Sequence, residues 1–324
     1  MERVPVIIVG GGPAGSSCAW RLRRHGVGCL VLDQARFPRE KLCAGWVTPE
    51  CLTDLELTPE SYPHSFLTFE TIRVHLPGVG FGMHARQHSI RRVELDAWLL
   101  ERSGAPVVNH QVKSIRADGD GYVIDEQFRC DHLVGAGGTR CPVYRSLFKE
   151  LNPRARELQA MALEQEFEHQ WEDRNCHLWF FHKGLPGYTW YVPKGGGHLN
   201  LGVGAMAAQL KQRGASIHDH WKRFTHQLSR KGLVRRDDYE PSGYSYYLRD
   251  GVEQVRVGNA FLVGDAAGLA TRDLCEGIGP AVRSGLLAAD AIALDRPYSL
   301  ESVSPWSLTN RWARNWLDRR FTRP

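Results

Sequence analysis

The chain has 324 residues, 42% hydrophobic and 24% charged, with a formal net charge of +5. That composition is ordinary for a soluble protein with a large core, and the length suggests two lobes. The mild positive charge is compatible with a phosphate-bearing ligand. No zinc-finger spacing, RNA-binding signature or long Lys/Arg run points to nucleic acid.

Eight cysteines occur (Cys18, Cys29, Cys43, Cys51, Cys130, Cys141, Cys176 and Cys275), none in a C-x-x-C pair, so neither a metal site nor a redox pair is expected. The first strand begins by Val4, which leaves no room for a signal peptide, and no apolar run approaches the roughly 20 residues of a membrane span. The expected compartment is a reducing cytoplasm.

In chain order, Val6-Ile7-Ile8-Val9 reads as a buried strand that stops at Gly10-Gly11-Gly12-Pro13-Ala14-Gly15, followed by a helical stretch from Ser16 to His25. A second strand, Cys29 to Leu32, ends at Asp33, eighteen residues beyond Gly15. This is the order and spacing of a dinucleotide-binding βαβ unit. Gly10 permits the tight turn, Gly12 lets the backbone approach a pyrophosphate, and Gly15 lets helix and strand pack closely. The helix N-terminus offers N–H groups to phosphate, and Asp33 stands where a ribose hydroxyl is expected.

Residues 34–65 read as loop, broken by Pro38, Pro49, Pro59 and Pro63. Residues 66–90 alternate like strands, Val93 to Arg102 reads as a helix, and strands are expected near 106–117 and 121–125 about an Asp118-Gly119-Asp120-Gly121 turn. Another strand ends at Gly135-Ala136-Gly137-Gly138. The pattern then changes to four short runs, 160–168, 176–182, 187–193 and 198–204, which read as an antiparallel sheet. Residues 217–231 and 277–294 read as helices.

Between them, Ala260-Phe261-Leu262-Val263 stops at Gly264-Asp265-Ala266-Ala267-Gly268. Alone, this is a strand-to-helix turn with a capping aspartate. Paired with the first glycine segment, it is the second half of one dinucleotide site, with Asp265 facing a ribityl chain. The expected fold is α/β: a Rossmann-like lobe of three-layer ββα type, interrupted by an inserted antiparallel β-sheet substrate lobe. The expected domains are 1–66, 91–155 and 250–300 for the cofactor, 67–90 and 156–249 for substrate, and a C-terminal helical tail, 301–324.

With these segments in place, the chain resembles the FAD-dependent oxidoreductases of the p-hydroxybenzoate hydroxylase type, most closely their geranylgeranyl reductase branch. The resemblance covers roughly residues 3–294. It implies that Gly10, Gly12, Pro13, Ala14, Gly15, Asp33, Gln34 and Arg36 hold the ADP half of FAD, and that Gly264, Asp265 and Gly268 hold the ribityl-pyrophosphate half. It also implies cofactor contacts from Val112 and from one arginine of Arg91-Arg92, with Arg92 preferred. Gly277, Ile278 and Gly279 would lie beneath the flavin ring, their backbone N–H groups facing the N1–O2 edge.

Phe37-Pro38-Arg39-Glu40-Lys41-Leu42-Cys43-Ala44-Gly45 resembles the branch's loop beside the isoalloxazine, with Ala44 where a glycine is usual. Lys41 favours thiolate character at Cys43. Cys43 then either helps position or protonate substrate, or packs as a small residue by the ring. Tyr188-Thr189-Trp190-Tyr191-Val192-Pro193 resembles the branch's Tyr-x-Trp-x-Phe-Pro, in which Tyr188 and Trp190 share a strand face. With Trp46 and Pro193 they either line a substrate cavity or are plain core. Gly137 stands where relatives carry an acid that organises the flavin-site loop.

The resemblance implies FAD-dependent reduction of a carbon–carbon double bond in an apolar, isoprenoid or lipid-like small molecule. Flavin-dependent hydroxylation is the alternative, and a flavin-binding electron-transfer or redox-sensing protein is a second. The electron donor is NAD(P)H binding transiently or a donor protein. The tail, with Leu308, Trp312, Trp316 and Phe321 among Arg311, Arg314, Arg319, Arg320 and Arg323, either contacts the inner face of a membrane peripherally or docks on its own protein.

Overall fold

The computed structural model describes residues 1–236, 238–251, 254–308 and 311–322. The chain divides into two compact units. The first comprises Met1–Arg39, Leu95–Ala155 and Tyr247–Ser307; the second comprises Glu40–Glu94, Arg156–Tyr246 and Leu308–Pro324.

The first unit is built on the strand Glu2–Val9. It pairs in parallel with Cys29–Asp33 on one side and Phe128–Gly135 on the other. Val107–Asn109 and Ala260–Leu262 extend the parallel sheet outward, and Arg256–Val257 closes one edge antiparallel. Unbroken apolar runs such as Val6–Val9 and Cys29–Leu32 suit a parallel sheet buried on both faces. Ile115–Asp118 and Gly121–Ile124 form the predicted hairpin and pair on to Phe128–Gly135. This is the expected α/β, Rossmann-like architecture.

The register puts Val9 opposite both Leu32 and Gly135, and Leu262 opposite Gly135. The glycine-marked ends of three parallel strands therefore lie side by side. Two helices fix the layer that follows, Pro13–Arg24 and Ile278–Ala293. They cross closely because Gly285 has no Cβ; one would collide with the Ala14 carbonyl. Asp290 anchors the crossing, accepting from Arg21 Nε at 2.6 Å and lying 2.8 Å from His25 Nε2.

The second unit carries an eight-stranded sheet. Its order is Ser242–Tyr247, Gln159–Glu168, His198–Met206, Gly187–Lys194, Cys176–Phe180, Phe66–Leu76, Val79–Ile90 and Trp46–Val47. The sheet is not wholly antiparallel as expected, because Cys176–Phe180 runs parallel to Phe66–Leu76. These neighbours belong to separate passages of the chain through the unit, so no hairpin dictates their direction. Helix Ile217–Arg230 buries Ile217, Trp221, Phe224 and Leu228 against Leu199, Leu201 and Val203.

Two short helices escaped the sequence reading. Pro49–Asp54 lies in the segment read as loop; Pro49 occupies its first turn, where proline is tolerated, and Thr48 Oγ1 caps it by accepting from Cys51 N–H at 3.3 Å. The other is Ala207–Gln212. In the tail read as helical, helix Arg311–Thr322 buries Leu317 and Phe321, with Phe321 against Phe181 and Tyr188, while Arg311, Trp312, Arg319 and Arg320 are exposed. Arg323 lies outside the described residues. Among the described residues no helix is long and apolar enough to cross a membrane.

Candidate cofactor and substrate site

The first glycine segment forms a turn that only glycine fits. Gly10 has φ +114°, and a Cβ there would collide with the Ala136 carbonyl. Gly15 has no room for a side chain because the Gly10 carbonyl fills it. At Gly12, by contrast, a Cβ would meet nothing nearer than Arg39 Nη2 at 3.5 Å. Gly12 precedes a helix with Pro13 at its start, no side-chain cap and no acid in the first turn. The helix N-terminus thus offers its N–H groups and positive dipole end to a phosphate approaching at Gly12.

Asp33 is buried, and its two carboxylate oxygens accept from Gly11 N–H at 2.7 Å and Ala35 N–H at 2.8 Å. Each oxygen keeps a lone pair for a further donor such as a ribose hydroxyl. Gln34 and Arg36 are exposed, and Arg36 Nε approaches Asn109 Oδ1 at 3.4 Å. Val112 is buried in the core of this unit. Sequence reasoning overlooked Arg39 as a site residue. It is held over the Gly12 turn by fully buried Asp96, 3.2 Å away, and stacks on Phe37. Its place in the Phe-Pro-Arg motif was the available signal.

The second glycine segment meets the first. A Cβ on Gly264 would lie 3.1 Å from that of Ala14 and 3.2 Å from that of Ala281. Gly264 (φ +57°) and Gly268 (φ +72°) both use the left-handed region, and the turn closes through Ala267 N–H to Gly264 O and Gly268 N–H to Asp265 O. Ser284 Oγ accepts from Gly264 N–H at 2.9 Å. The half-buried Asp265 carboxylate leans toward Gly277, with Oδ1 3.3 Å from where a Gly277 Cβ would be.

In the Glu276–Gly279 loop, the Gly279 N–H is already engaged; it donates to Glu276 Oε1 at 2.7 Å. Burial pushes the Glu276 carboxyl up to about 7. The Gly279 and Ile278 N–H groups pull it down, while the charges of Asp273 and Asp265 add to the rise. This carboxylate, unremarked in the sequence, occupies the helix N-terminus that Gly277, Ile278 and Gly279 open.

In the second unit, the loop carrying Cys43 is clamped from the sheet. Asn200 Nδ2 donates to the Cys43 carbonyl at 3.5 Å, and Trp190 Nε1 donates to Asn200 Oδ1 at 2.7 Å. Cys43 is half-buried, and its Sγ accepts from Gly45 N–H at 3.3 Å. Gly45 (φ +66°) leaves no room for a Cβ beside the Ile90 carbonyl and the Lys194 ammonium. Lys41 turns onto the Tyr244 ring, 3.0 Å from its centroid.

Beneath the loop is a buried ion cluster. Lys194 is fully buried; its Nζ donates to Ile90 O at 2.6 Å and pairs with Glu166 at 2.9 Å. Arg91 is committed to Glu166 at 2.8 Å and Glu94 at 3.3 Å. Burial opposes the charge on Glu166, but Lys194 and Arg91 hold its carboxyl below the ordinary value. Arg92 is buried at the start of helix Arg92–Arg102. Burial pushes the neighbouring Glu164 up to about 7, against the pull of Lys194, Lys41 and the Cys43 N–H. Glu164 and Asn200 were missed because their sequence surroundings read only as alternating strand.

Trp190 is buried and lies across Gly202 and Gly204, where a Cβ on Gly202 would overlap the indole. Tyr188, half-buried, is its neighbour at 5.7 Å. Pro193 O accepts from Ser89 Oγ at 2.6 Å, and Trp46 Nε1 donates to Gln87 at 2.9 Å.

A parallel sheet whose three glycine-marked strand ends converge, with an uncapped helix start and a ribose-ready carboxylate, defines a dinucleotide-binding fold of Rossmann type. The open cradle at Gly12 and the meeting of Gly264 with Ala14 fit a dinucleotide as long as FAD.

Known proteins make the class specific. Residues 8–39 match the family model of the NAD(P)-binding Rossmann-like domain. The chain is 28% identical to the menaquinone reductase of Mycolicibacterium smegmatis, over 96% of this chain and 82% of that protein. It is 24% identical to digeranylgeranylglycerophospholipid reductase 3 of Methanosphaera stadtmanae, over 95% and 82% respectively. The crystal structure of a geranylgeranyl bacteriochlorophyll reductase-like protein from Thermoplasma acidophilum superposes with a TM-score of 0.79 at 20% identity, covering 99% of this chain and 85% of that one. The chain is thus similar to geranylgeranyl reductase-like oxidoreductases in sequence and shares their fold, the resemblance its motifs led one to expect.

Proposed function

We propose that this protein reduces a carbon–carbon double bond in the polyprenyl part of a lipid such as an isoprenoid quinone. The first unit would hold FAD through Gly10, Gly12, Gly15, Asp33, Arg39, Gly264, Asp265 and the Gly277–Gly279 loop. When bound, FAD supplies the hydride-transfer chemistry that protein side chains lack. In the second unit, Tyr188 and Trp190 would line the apolar part of the substrate, and Cys43 would carry the proton at Sγ. Arg92, at the start of helix Arg92–Arg102, would contribute a positive charge to the cofactor.

The observation that carries this reading is the clamp on Cys43. Trp190 orients Asn200 and Asn200 holds the Cys43 carbonyl, so aromatic wall and thiol are fixed as one piece. Names of the relatives in menaquinone and isoprenoid lipid reduction support the substrate class. With the first glycine segment holding the ADP half of FAD on this reading, NAD(P)H would deliver electrons by transient binding or a donor protein would replace it. The exposed Trp312 with Arg311 and Arg319 would bring the protein to an anionic membrane where such lipids reside.

The test is anaerobic. Protein reconstituted with FAD and reduced chemically is mixed with a polyprenyl quinone, and flavin absorbance and product mass are followed. Flavin reoxidation with a product that stays two hydrogens heavier after its quinol ring has been reoxidised in air, the gain lying in the polyprenyl chain, supports the reductase; a gain lost on that reoxidation is reduction of the ring and rejects it. Reoxidation only on admitting oxygen, with an oxygenated product, establishes the hydroxylase instead. For the tail, vesicles containing anionic lipid should retain the wild type more strongly than Trp312→Ser/Arg319→Gln; equal retention rejects the membrane contact.

A further inference from the structure

We infer that Arg154 is a positioning residue for the flavin half of the cofactor, acting through the main chain of the Gly264–Gly268 turn. This rests on the flavin reading above. Arg154 Nη1 donates to the carbonyl of Thr139, in the turn that ends the strand Phe128–Gly135. Its Nη2 donates to Ala266 O at 3.0 Å and reaches Asp265 O at 3.4 Å, in the turn that follows the neighbouring parallel strand Ala260–Leu262. One guanidinium thus ties two strand-end turns together through carbonyls alone.

Its plane is held as well. The guanidinium carbon lies 3.8 Å from the ring centre of Tyr144 and 5.1 Å from that of Tyr247, and Tyr144 is itself fixed by donating from its hydroxyl to Asn152 O at 3.0 Å. A planar fork with stacked faces suits several carbonyls at once, which an ammonium cannot match.

The consequence for the site follows from peptide geometry. The C=O and N–H of a trans peptide point in opposite directions. Holding the Asp265 and Ala266 carbonyls on the Arg154 side therefore directs the Ala266 N–H to the opposite side and fixes the turn that carries the Asp265 carboxylate. Polarising those carbonyls also strengthens the N–H donors of the same peptides.

A residue needed only for folding would weaken every ligand alike. A residue that positions the Gly264–Gly268 turn would weaken FAD, which needs that turn, and spare ADP, which needs only the first glycine segment and Asp33. Apoprotein of wild type, Arg154→Met and Arg154→Lys is titrated with FAD and, separately, with ADP. Arg154→Met is expected to bind FAD at least tenfold more weakly with ADP affinity within twofold of wild type. Arg154→Lys, whose ammonium reaches one turn but not both, is expected to fall between them. Should Arg154→Met fail to fold, Arg154→Lys decides alone, with a threefold or greater loss for FAD and none for ADP. Parallel losses for both ligands, or unchanged FAD affinity, overturn the inference. Wild-type apoprotein that binds ADP and not FAD overturns the flavin reading itself, before any variant is considered.

Discussion

Gly285 faces Ala14 across the crossing of two helices, one starting in the first glycine segment and the other after Gly277, and the Ala14 carbonyl occupies the place of the missing Cβ. The close approach of these helices is what brings Gly264 against Ala14. Gly285→Ala is expected to force them apart and to cost about 1–3 kcal/mol of stability, the usual range for overpacking. Urea unfolding of the apoprotein measures it, and an unchanged midpoint would mean the crossing relaxes freely.

Asp33 is expected to dominate affinity for the adenosine half. Its carboxylate already orders Gly11 and Ala35 while keeping lone pairs for the ribose. Charged hydrogen bonds contribute about 1.5–3 kcal/mol each, so Asp33→Ala should weaken both FAD and ADP by about ten- to a hundredfold. Fluorescence quenching of added FAD reads this directly, and retention of wild-type affinity would remove Asp33 from the site.

Glu164 gives a pH signature. Its carboxyl is raised from the ordinary 4.5 to about 7 by burial, so its contribution to stability is complete below pH 4.5 and is lost as the pH rises through 7. Glu164→Gln keeps an acceptor for the Cys43 N–H but cannot ionise. Relative to wild type, the variant should gain stability between pH 5 and pH 8, by up to about 3 kcal/mol. Glu276, raised in the same way, leaves a residual slope in the variant. Parallel stability curves for the two proteins across that range would contradict the assignment.

Gly202 and Trp190 should behave as a coupled pair. Gly202→Ala places a methyl inside the indole and should destabilise by about 1–3 kcal/mol. In a Trp190→Leu background the same substitution should cost much less, because nothing flat lies on the strand there. A double-mutant cycle with no coupling would show that Trp190 yields without loss.

Much of the first unit was legible because it depends on local pattern. Val6–Val9 and Cys29–Leu32 are apolar throughout, and Gly10 and Gly15 each answer a steric demand that is visible from spacing. The second unit was legible as strands but not as a sheet. Cys176–Phe180 lies parallel to a strand about a hundred residues earlier, and no turn residue encodes that pairing. Helix Pro49–Asp54 was hidden because Pro49 reads as a breaker when it is in fact a start. Arg154, Glu164 and Asn200 were invisible for another reason. Arg154 and Glu164 meet main-chain atoms or buried charges brought in by the fold, and Asn200 joins the Trp190 indole to the distant Cys43 carbonyl, so no local pattern marks them.

The distance in sequence between the meeting segments also sets an order of events. Gly15 and Gly264 are 249 positions apart, and the helix that presses them together ends at Ala293. At about 5–20 residues per second of synthesis, the first half of the cradle waits roughly 12–50 s for the second. On the proposed flavin reading, the nascent chain would meet ADP during that interval but not a whole flavin dinucleotide. Loading of the complete cofactor would then be a late step of maturation, and a chain truncated before Gly264 would be a nucleotide binder with no redox chemistry.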